Sequence, residues 1–592
     1  MFRVLLDLAR QYQRRFVLIS FFAFLATGAD LLQPLIYKRA INDVAGLFVG
    51  DNARAAAIGV APRDASQILA TLVMAVILLF VISVAGYYFS LRSRLHGARV
   101  ASHMESSFIV RTFGHVLRLP LAFFSHTASA GLAKRIDQCD QVAPIVAAFS
   151  QQIFPEAVRL VGICAIMFTQ NWRMALVSFC LLPLYLWIAR RSALRMKANL
   201  DPYYELWENI SAHIADSISA VKTVKLSGAE SREEARLRSD SHHAYDVYLK
   251  RIATAQRYYI SQSMLSNLSK SLVLGYGGFL VLRHKLTPGD VVMFVAYLDR
   301  LYSPIDSLNE IAVSLQQYMA SLLRAVKLLD AGPTEAPGED LAPGPGKVEF
   351  RGVRFGYLPA REVLKGLTLT LEPGKVTVLA GPSGAGKTTA ADLLLKLYEP
   401  SLGEIVVDGH KLSGTGPESI RRAIGVVAAD GVVFRGTLAD NIRYKRPQAS
   451  NAEVLEAALA AGLRRTLERL PDGLETEVGE HGVGLSAGER QRLQIARILV
   501  DKPRLLVLDE ATANLDYSTE LEVKHALLQL SPRPTMLVIA HRYTMMKEAD
   551  FVYVLQEGRV SEHGTPAQLI AQGGWFADLA AQSGDRGEEA DR

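Results

Sequence analysis

Cysteine is scarce in this 592-residue sequence, which has only Cys139, Cys164 and Cys180. None belongs to a paired metal-binding motif and two lie in apolar runs, so we interpret all three as small apolar fillers and exclude a disulfide framework or a cysteine metal site. No small-residue cleavage site follows the first apolar run, and no Arg- and Ser-rich presequence is present. We therefore expect neither a cleaved signal peptide nor a mitochondrial address.

Charge is nearly absent from long stretches of residues 1–330, whereas residues 347–582 have the composition of a mixed soluble domain. Ile68–Leu91 is 24 residues without a charge, which is long enough to cross the hydrocarbon core of a bilayer. That run argues against the alternative of a large soluble helical core. Shorter apolar runs lie at 16–36, 143–167, 174–189, 271–282 and 291–298. Together these runs predict six membrane spans.

Basic residues are distributed unequally between the connections. Segment 92–141 carries seven Lys and Arg and segment 190–257 carries twelve, whereas 44–67 carries only Arg54 and Arg63. Because positive residues favour the cytoplasmic side, we expect the two long connections and the C-terminal half to be cytoplasmic. The net charge of +6 is then explained by the membrane flanks, and nucleic acid is not expected as a partner. The Ala- and Arg-rich composition favours a bacterial inner membrane.

Six charged residues lie in or near the predicted spans, where charge is costly and usually faces a cavity or a partner. Glu156 and Arg159 are three residues apart on one helix face, so they either neutralise each other or serve a substrate, and both interpretations stay open. The full set is Asp30, Glu156, Arg159, Lys270, Asp299 and Arg300.

Proline and glycine divide the chain at residues 331–346, because both residues interrupt helix and strand. The predicted organisation is a six-helix membrane domain at 1–330, this linker, a nucleotide-binding domain at 347–582 and a disordered charged tail at 583–592.

A glycine-rich loop follows a short apolar strand that ends at Ala380 and precedes a helical stretch. The loop fits the phosphate-binding pattern G-x-x-x-x-G-K-[ST], in which backbone N–H groups and a helix N-terminus surround phosphates. Lys387 is predicted to reach the β- and γ-phosphates of ATP, and the Thr388 hydroxyl to bind Mg²⁺. The predicted loop residues are Gly381, Pro382, Ser383, Gly384, Ala385, Gly386, Lys387, Thr388 and Thr389.

Two further apolar strands end in polar residues. One ends at Asp509 and Glu510, and the other at His541. Ligands of α/β sheets gather at the carboxyl ends of strands. Asp509 is therefore a predicted Mg²⁺ ligand, directly or through water, and Glu510 the predicted base that orients the attacking water, with His541 near the γ-phosphate.

With these motifs in place, the chain resembles the ABC transporter family, and more narrowly its six-span exporter branch with a fused nucleotide-binding domain. The resemblance implies an all-α membrane domain with long cytoplasmic helical extensions, followed by an α/β P-loop NTPase domain of ABC type. It also implies that Glu510 is the catalytic carboxylate and His541 the switch histidine. Residues that resemble the family signature, which faces the ATP of the other subunit, are Leu485, Ser486, Ala487, Gly488 and Glu489.

Further positions match the family one at a time. Tyr357 resembles the aromatic residue that stacks on adenine, and Asp516 the aspartate that crosses the dimer interface. Segments 119–138 and 217–230 resemble the regions around the two coupling helices. The sequence departs from the pattern at Ala429, which stands where the family usually has a glutamine that touches Mg²⁺ and water. A slow or weakly coupled ATPase is therefore a possible outcome.

The resemblance implies a two-fold dimer in which ATP binding closes the nucleotide domains and turns a cavity outward. A second copy of the chain suffices, because all motifs lie on one chain, but a sibling half-transporter stays an alternative. An importer is disfavoured by the long inner connections, a non-pumping regulator by Glu510 and His541, and a soluble nucleic-acid ABC protein by the spans. The predicted cargo is amphipathic or hydrophobic: a lipid-like molecule, a peptide or a drug.

Overall fold

The computed structural model describes residues 10–47, 65–125, 129–198, 201–358, 361–427, 432–479, 484–509, 527, 533–540 and 543–589. The chain divides into two compact units. One comprises Met1–Leu117 and Ser129–Ala331, and the other comprises Arg118–Ala128 and Gly332–Arg592. In its described residues the first unit is helical, whereas the second combines helices with three sheets.

Long apolar runs fold as helices in the first unit, because a helix satisfies the backbone hydrogen bonds of a lipid-embedded segment internally. A π-helical turn at Ala148–Ile153 interrupts the third predicted span, and a 3₁₀ turn at Gln138–Gln141 precedes it. In chain order the helices are α1 (Gln13–Leu47), α2 (Ala65–Leu117), α3 (Leu121–Ser125, in the second unit), α4 (Ser129–Asp137), α5 (Val142–Ala147), α6 (Phe154–Gln170), α7 (Trp172–Phe179), α8 (Leu182–Ala198), α9 (Asp201–Ser219), α10 (Val221–Leu226), α11 (Glu230–Leu282) and α12 (Pro288–Leu329).

Five stretches of described helix are long and apolar enough to cross a membrane, and they contain five of the six predicted spans. The stretches are Gln13–Ala45, Leu69–Leu117, Gly131–Gln170, Trp172–Arg195 and Glu230–Leu282. The sixth predicted span lies in α12, which is 42 residues long. Its first half carries three aspartates and an arginine, and these charges distinguish it from the other five.

Helices α2 and α11 each contain 53 residues. At a rise of 1.5 Å per residue each is about 80 Å long, whereas a hydrocarbon core is about 30 Å thick. Both helices therefore continue far beyond the lipid. The long inner connections are helical in most of their described residues, as the sequence predicts, with turns at 118–120 and 227–229.

The second unit is organised around a six-stranded sheet of order β12-β11-β3-β10-β9-β6, in which only β12 pairs antiparallel. A four-stranded antiparallel sheet of order β2-β1-β4-β5 and a two-stranded pair, β7-β8, accompany it. The strands are β1 (Val348–Phe355), β2 (Leu364–Leu371), β3 (Val376–Ala380), β4 (Leu402–Val407), β5 (His410–Lys411), β6 (Ile424–Val427), β7 (Gly436–Thr437), β8 (Glu477–Val478), β9 (Leu505–Asp509), β10 (Thr535–Ile539), β11 (Phe551–Gln556) and β12 (Arg559–Gly564).

Central strands of the large sheet are buried on both faces, which explains why they read as continuous apolar runs. Successive side chains alternate between two apolar cores, as the pleat of a strand requires. Leu506, Leu508, Met536 and Val538 belong to one core, and Leu505, Val507, Leu537 and Ile539 belong to the other.

The second unit also contains helices between and after these strands. They are α13 (Lys387–Leu394), α14 (Pro417–Ala423), α15 (Leu438–Ile442), α16 (Asn451–Ala460), α17 (Arg464–Arg469), α18 (Ala487–Asp501), α19 (Tyr543–Met546), α20 (Pro566–Gln572) and α21 (Trp575–Glu589). The last helix runs into the tail for which the sequence analysis expects disorder. No proline interrupts residues 575–589, so the helix continues through them.

The predicted linker is packed against the second unit. Arg421 donates hydrogen bonds of 2.9 and 2.6 Å to the two carboxylate oxygens of Glu335, and the Glu335 N–H donates one of 2.8 Å to the Arg118 carbonyl. The N–H groups of Gly346 and Lys347 both donate to Asp408 at 2.8 Å. Proline and glycine break regular structure here, but side chains still fix the path of the chain.

Candidate functional site

The glycine-rich loop lies between β3 and α13, as the strand-loop-helix pattern predicts. Gly381 and Gly386 have φ angles of 137° and 101°, a region that residues with a Cβ rarely adopt. A Cβ on Gly381 would lie 2.1 Å from the Leu555 carbonyl oxygen, and one on Gly386 would lie 2.8 Å from a Leu364 methyl. These positions therefore require glycine for both conformation and space.

Lys387 is the first residue of α13 and is buried, with a relative exposure of 5%. Its Nζ donates hydrogen bonds of 2.8 and 2.9 Å to the carbonyl oxygens of Gly381 and Pro382. The ammonium group is thus held against the loop that the sequence predicts to surround phosphates. Thr388 is exposed beside it, whereas the hydroxyl of the buried Thr389 lies 3.2 Å from Tyr357 Oη.

Parallel strands bring the other predicted residues to the same edge of the sheet. Strand β10 lies between β3 and β9, with Ile539 in register with both Leu379 and Asp509. Asp509 therefore ends its strand next to the end of β10, one strand away from the loop that follows β3. Glu510 follows β9 directly, and His541 follows β10 after Ala540. Both residues lie outside the described residues.

Tyr357 lies beside the glycine-rich loop, next to the start of α13. Its Oη is 3.1 Å from a carboxylate oxygen of Asp392, and its ring packs edge-on against Phe355 and Tyr398 with both centroids at 5.1 Å. Burial raises the pKa of Tyr357. The ring is still 47% exposed, which leaves an aromatic face available for stacking.

Asp392 lies close enough to Asp509 for the two carboxylates to interact electrostatically. Burial raises the pKa of Asp392, whereas the hydrogen bond from Tyr357 lowers it. The nearby charge of Asp509 raises the pKa as well, and the net shift is upward. Hydroxyl and carboxylate oxygens are the donors that Mg²⁺ prefers, usually with water and phosphate completing its shell. Thr388 and Asp509, the two predicted Mg²⁺ ligands, carry oxygens of these kinds. In the described ranges, no cluster of three or more His, Cys, Asp or Glu side chains could hold a metal ion.

The signature-like segment begins helix α18. Ser486 caps the helix, and its hydroxyl accepts a hydrogen bond from the Glu489 N–H at 3.3 Å. The exposed N-terminal turn presents backbone N–H groups at Ala487 and Gly488, an arrangement that favours anions.

Glu489 belongs to the predicted ATP contacts, but its side chain points into its own domain. Its carboxylate accepts hydrogen bonds of 2.9 Å from both Thr466 Oγ1 and Arg469 Nη2, and one of 2.7 Å from the Ser486 N–H. Burial raises the pKa of Glu489, but the hydrogen bonds from Ser486, Arg469 and Thr466 outweigh burial and lower the pKa to about 2. The carboxylate is therefore ionised, and its hydrogen bonds are made to residues of its own domain.

Two other sequence-predicted features, Asp516 and Ala429, lie outside the described residues, as does Asp430, the sequence neighbour of Ala429. The first coupling-helix region is described in part. Its helix α3 belongs to the second unit together with the nucleotide loop. In the second region, α10 exposes apolar side chains at Val221 and Leu226, with relative exposures of 51% and 79%.

The membrane unit contains two polar networks. Arg159 Nη1 donates hydrogen bonds of 3.0 and 2.9 Å to the Glu156 carboxylate, which confirms the predicted pairing of these residues. Sequence reasoning missed the second network, in which Tyr185 Oη lies 2.6 Å from both carboxylate oxygens of Asp306. The partners are 121 positions apart, and an isolated aspartate near the end of an apolar run was the only signal.

Family models match both halves of the chain. Residues 16–305 match the model described as ABC transporter transmembrane region, and residues 364–513 match the model described as ABC transporter.

Curated relatives are similar over most of their length. A fatty acid ABC transporter ATP-binding/permease protein of Mycobacterium bovis is 32% identical over 78% of this chain and 74% of its own. An ATM1-type heavy metal exporter of Novosphingobium aromaticivorans is 31% identical over 98% of this chain and 94% of its own. An ATP-dependent lipid A-core flippase of Syntrophus aciditrophicus is 28% identical over the same shares, 98% and 94%.

A solved structure has the same fold. The structure of a bacterial Atm1-family ABC exporter with ATP bound superposes with a TM-score of 0.82 at 30% identity, and the match covers 96% of this chain and 98% of that one.

Proposed function

The chain belongs to the ABC transporter family, as an ATP-hydrolysing multi-pass exporter of the Atm1 and lipid-flippase type, and from this membership we propose its function. We propose that it exports or flips an amphipathic substrate across the bacterial inner membrane, and that it does so as a homodimer. One observation carries the proposal: the membrane domain and the strand-loop-helix nucleotide site lie on one chain. The relatives named for fatty acids and for lipid A-core support a lipid-like cargo, whereas the relative named for heavy metals does not.

The proposed chemistry starts at the loop after β3. Backbone N–H groups and Lys387 bind the phosphates of ATP, and Tyr357 stacks on the adenine. Thr388 and Asp509 would hold Mg²⁺, which would supply positive charge to neutralise the charge that develops on the transferred phosphoryl group. Glu510 orients the attacking water and His541 contacts the γ-phosphate. Ser486, Ala487 and Gly488, with Asp516, complete the site of the second copy.

A second copy is supported by surfaces that one chain leaves open. The N-terminal turn of α18 presents its N–H groups outward, and the apolar residues of α10 are exposed. ATP that is held between two copies binds the closed dimer better than the open one, so it shifts the conformational equilibrium toward closure.

The test is reconstitution into proteoliposomes, with ATP-dependent movement of a fluorescent single-chain lipid as the readout. We expect movement that needs ATP and is abolished, together with phosphate release, in Lys387→Ala and Glu510→Gln. Lys375→Ala is the matched control, because this exposed lysine precedes β3 and contacts no predicted site. Phosphate release without movement of any amphipathic probe would favour the alternative of a non-pumping regulator. Monomers or mixed dimers on native mass analysis would overturn the homodimer.

A further inference from the structure

A polar cavity of about 440 Å³ lies inside the membrane unit, between α1, α2, α12 and the segment that contains the π-helical turn and the start of α6. Small and hydroxylated side chains line much of it, including Ala23, Thr27 and Ser90. Charged side chains line the rest: Asp30, Arg94, Glu156, Arg159 and Arg300. A charged cavity in a lipid-embedded domain is costly, which makes it a candidate substrate site.

Four of these charges form one network across three helices. Arg300 Nη1 lies 3.0 Å from one Asp30 carboxylate oxygen, and Arg159 Nε lies 3.5 Å from the other. Arg159 also binds Glu156, and Arg300 Nη2 donates a hydrogen bond of 2.7 Å to Gln33. Two carboxylates thus balance two guanidinium groups. The four side chains keep relative exposures of 16–33%, so the network faces the cavity.

Arg94 breaks this balance. It lines the same cavity from α2, and among the described residues no carboxylate pairs with it. The five charged lining residues therefore sum to one positive charge, from three arginines and two acids. Arg94 is exposed, so its guanidinium group is accessible to a ligand in the cavity. A guanidinium group binds a carboxylate or a phosphate through two parallel charge-assisted hydrogen bonds.

The surroundings indicate where the rest of such a ligand would lie. On α2, close to Arg94 along the chain, Val84, Tyr87 and Leu91 have relative exposures of 50%, 77% and 55%. The cavity is large enough for a polar head group. The exposed apolar face of α2 would contact the apolar chain of the same ligand.

We propose that this cavity binds the head group of an amphipathic substrate that carries one anionic group, a carboxylate or a phosphate, and that Arg94 is its specificity-determining residue. The proposal rests on the proposed export function and narrows its substrate class. The alternative is that the charged network only holds α1, α6 and α12 together. Such a structural network does not need Arg94, so substitution of Arg94 distinguishes a substrate-binding cavity from a structural one.

The test measures binding without turnover. The full-length protein, in nanodiscs of phosphatidylcholine, is titrated with dodecanoate, dodecyl phosphate, dodecanol and dodecylammonium, and the rise in its unfolding temperature is followed. We expect the two anions to raise this temperature at lower concentrations than the alcohol or the amine. The stronger of the two anions identifies the head group as carboxylate or phosphate.

Arg94→Gln should raise the half-saturating concentration of the anions about tenfold, the equivalent of one lost charged contact of about 1.4 kcal/mol. Arg92→Gln is the matched control, since Arg92 lies on the same helix and binds Tyr88 Oη at 3.1 Å without lining the cavity. Equal binding of all four probes, or identical titrations of the two variants, would overturn the proposal. A protein that binds anions but moves none under ATP would refute the export function and leave this site standing.

Discussion

Ser486 and Glu489 bind each other reciprocally: the Ser486 N–H donates to the Glu489 carboxylate at 2.7 Å, and the Glu489 N–H donates to the Ser486 hydroxyl at 3.3 Å. This capping box satisfies two backbone donors of α18 and fixes the start of the helix. An anion that approaches the helix therefore meets the backbone of the first turn, and the ionised carboxylate is turned away from it.

Replacing Glu489 with glutamine should make stability less dependent on acid pH. The pKa of Glu489 is about 2 in the folded protein and about 4.5 when unperturbed, so the ionised group stabilises the fold above pH 4.5 and the effect is lost as pH falls toward 2. We expect Glu489→Gln to cost about 2 to 3 kcal/mol at pH 7. Unfolding temperatures of both proteins, measured between pH 2 and 7.5, should approach each other as pH falls below 4.5, and a constant difference would contradict this account.

Gly381→Ala should abolish ATP binding. The new Cβ would lie 2.1 Å from the Leu555 backbone carbonyl, so β3 and β11 would have to separate or the loop would have to change shape. Retention of a fluorescent ATP analogue is the measurement. Gly414→Ala is the control, because a Cβ there meets nothing within 4 Å, and it should bind the analogue like the original protein.

Ala429→Gln should raise the ATPase rate. A methyl group can neither coordinate Mg²⁺ nor position water, whereas the glutamine that the family usually has at this position can. We expect a gain of a fewfold in phosphate release, in line with one added polar contact of about 1 kcal/mol. If the rate is unchanged while Glu510→Gln abolishes it, another group, with Asp430 the first candidate, already performs that role.

Tyr185→Phe should destabilise the membrane unit. Tyr185 is only 1% exposed, and its removal would leave Asp306 with the Gln262 amide, which donates at 3.0 Å, as its remaining described partner. Losing a hydrogen bond to a charged group, here the partly buried Asp306, costs about 1.5 to 3 kcal/mol. Unfolding temperature in detergent is the readout. Tyr276→Phe, at a tyrosine that is 36% exposed, should change it little, and equal losses in both variants would count against the network.

The sequence predicted those features that depend on neighbouring residues. The glycine-rich loop, the strand that ends at Asp509 and the Glu156–Arg159 pair each lie within a few positions, so periodicity and spacing suffice. The Ser486-x-x-Glu489 spacing is also a local signal, typical of a capping box, and it could have placed Glu489 correctly. The contact of Arg300 with Asp30 joins residues 270 positions apart, and only tertiary packing determines such a pairing.

Helix α2 runs from the cavity in the membrane unit to the segment that precedes helix α3. It carries Arg94, and 23 residues later it ends at Leu117, immediately before the segment that belongs to the second unit. Those residues correspond to about 35 Å of helix without a proline to bend it. A displacement of the end of α2 at Leu117 would therefore be transmitted along the helix to Arg94 in the cavity, with little bending of the helix between them. Under the proposed function, Arg94 would both bind the head group of the substrate and receive the movement that ATP binding produces.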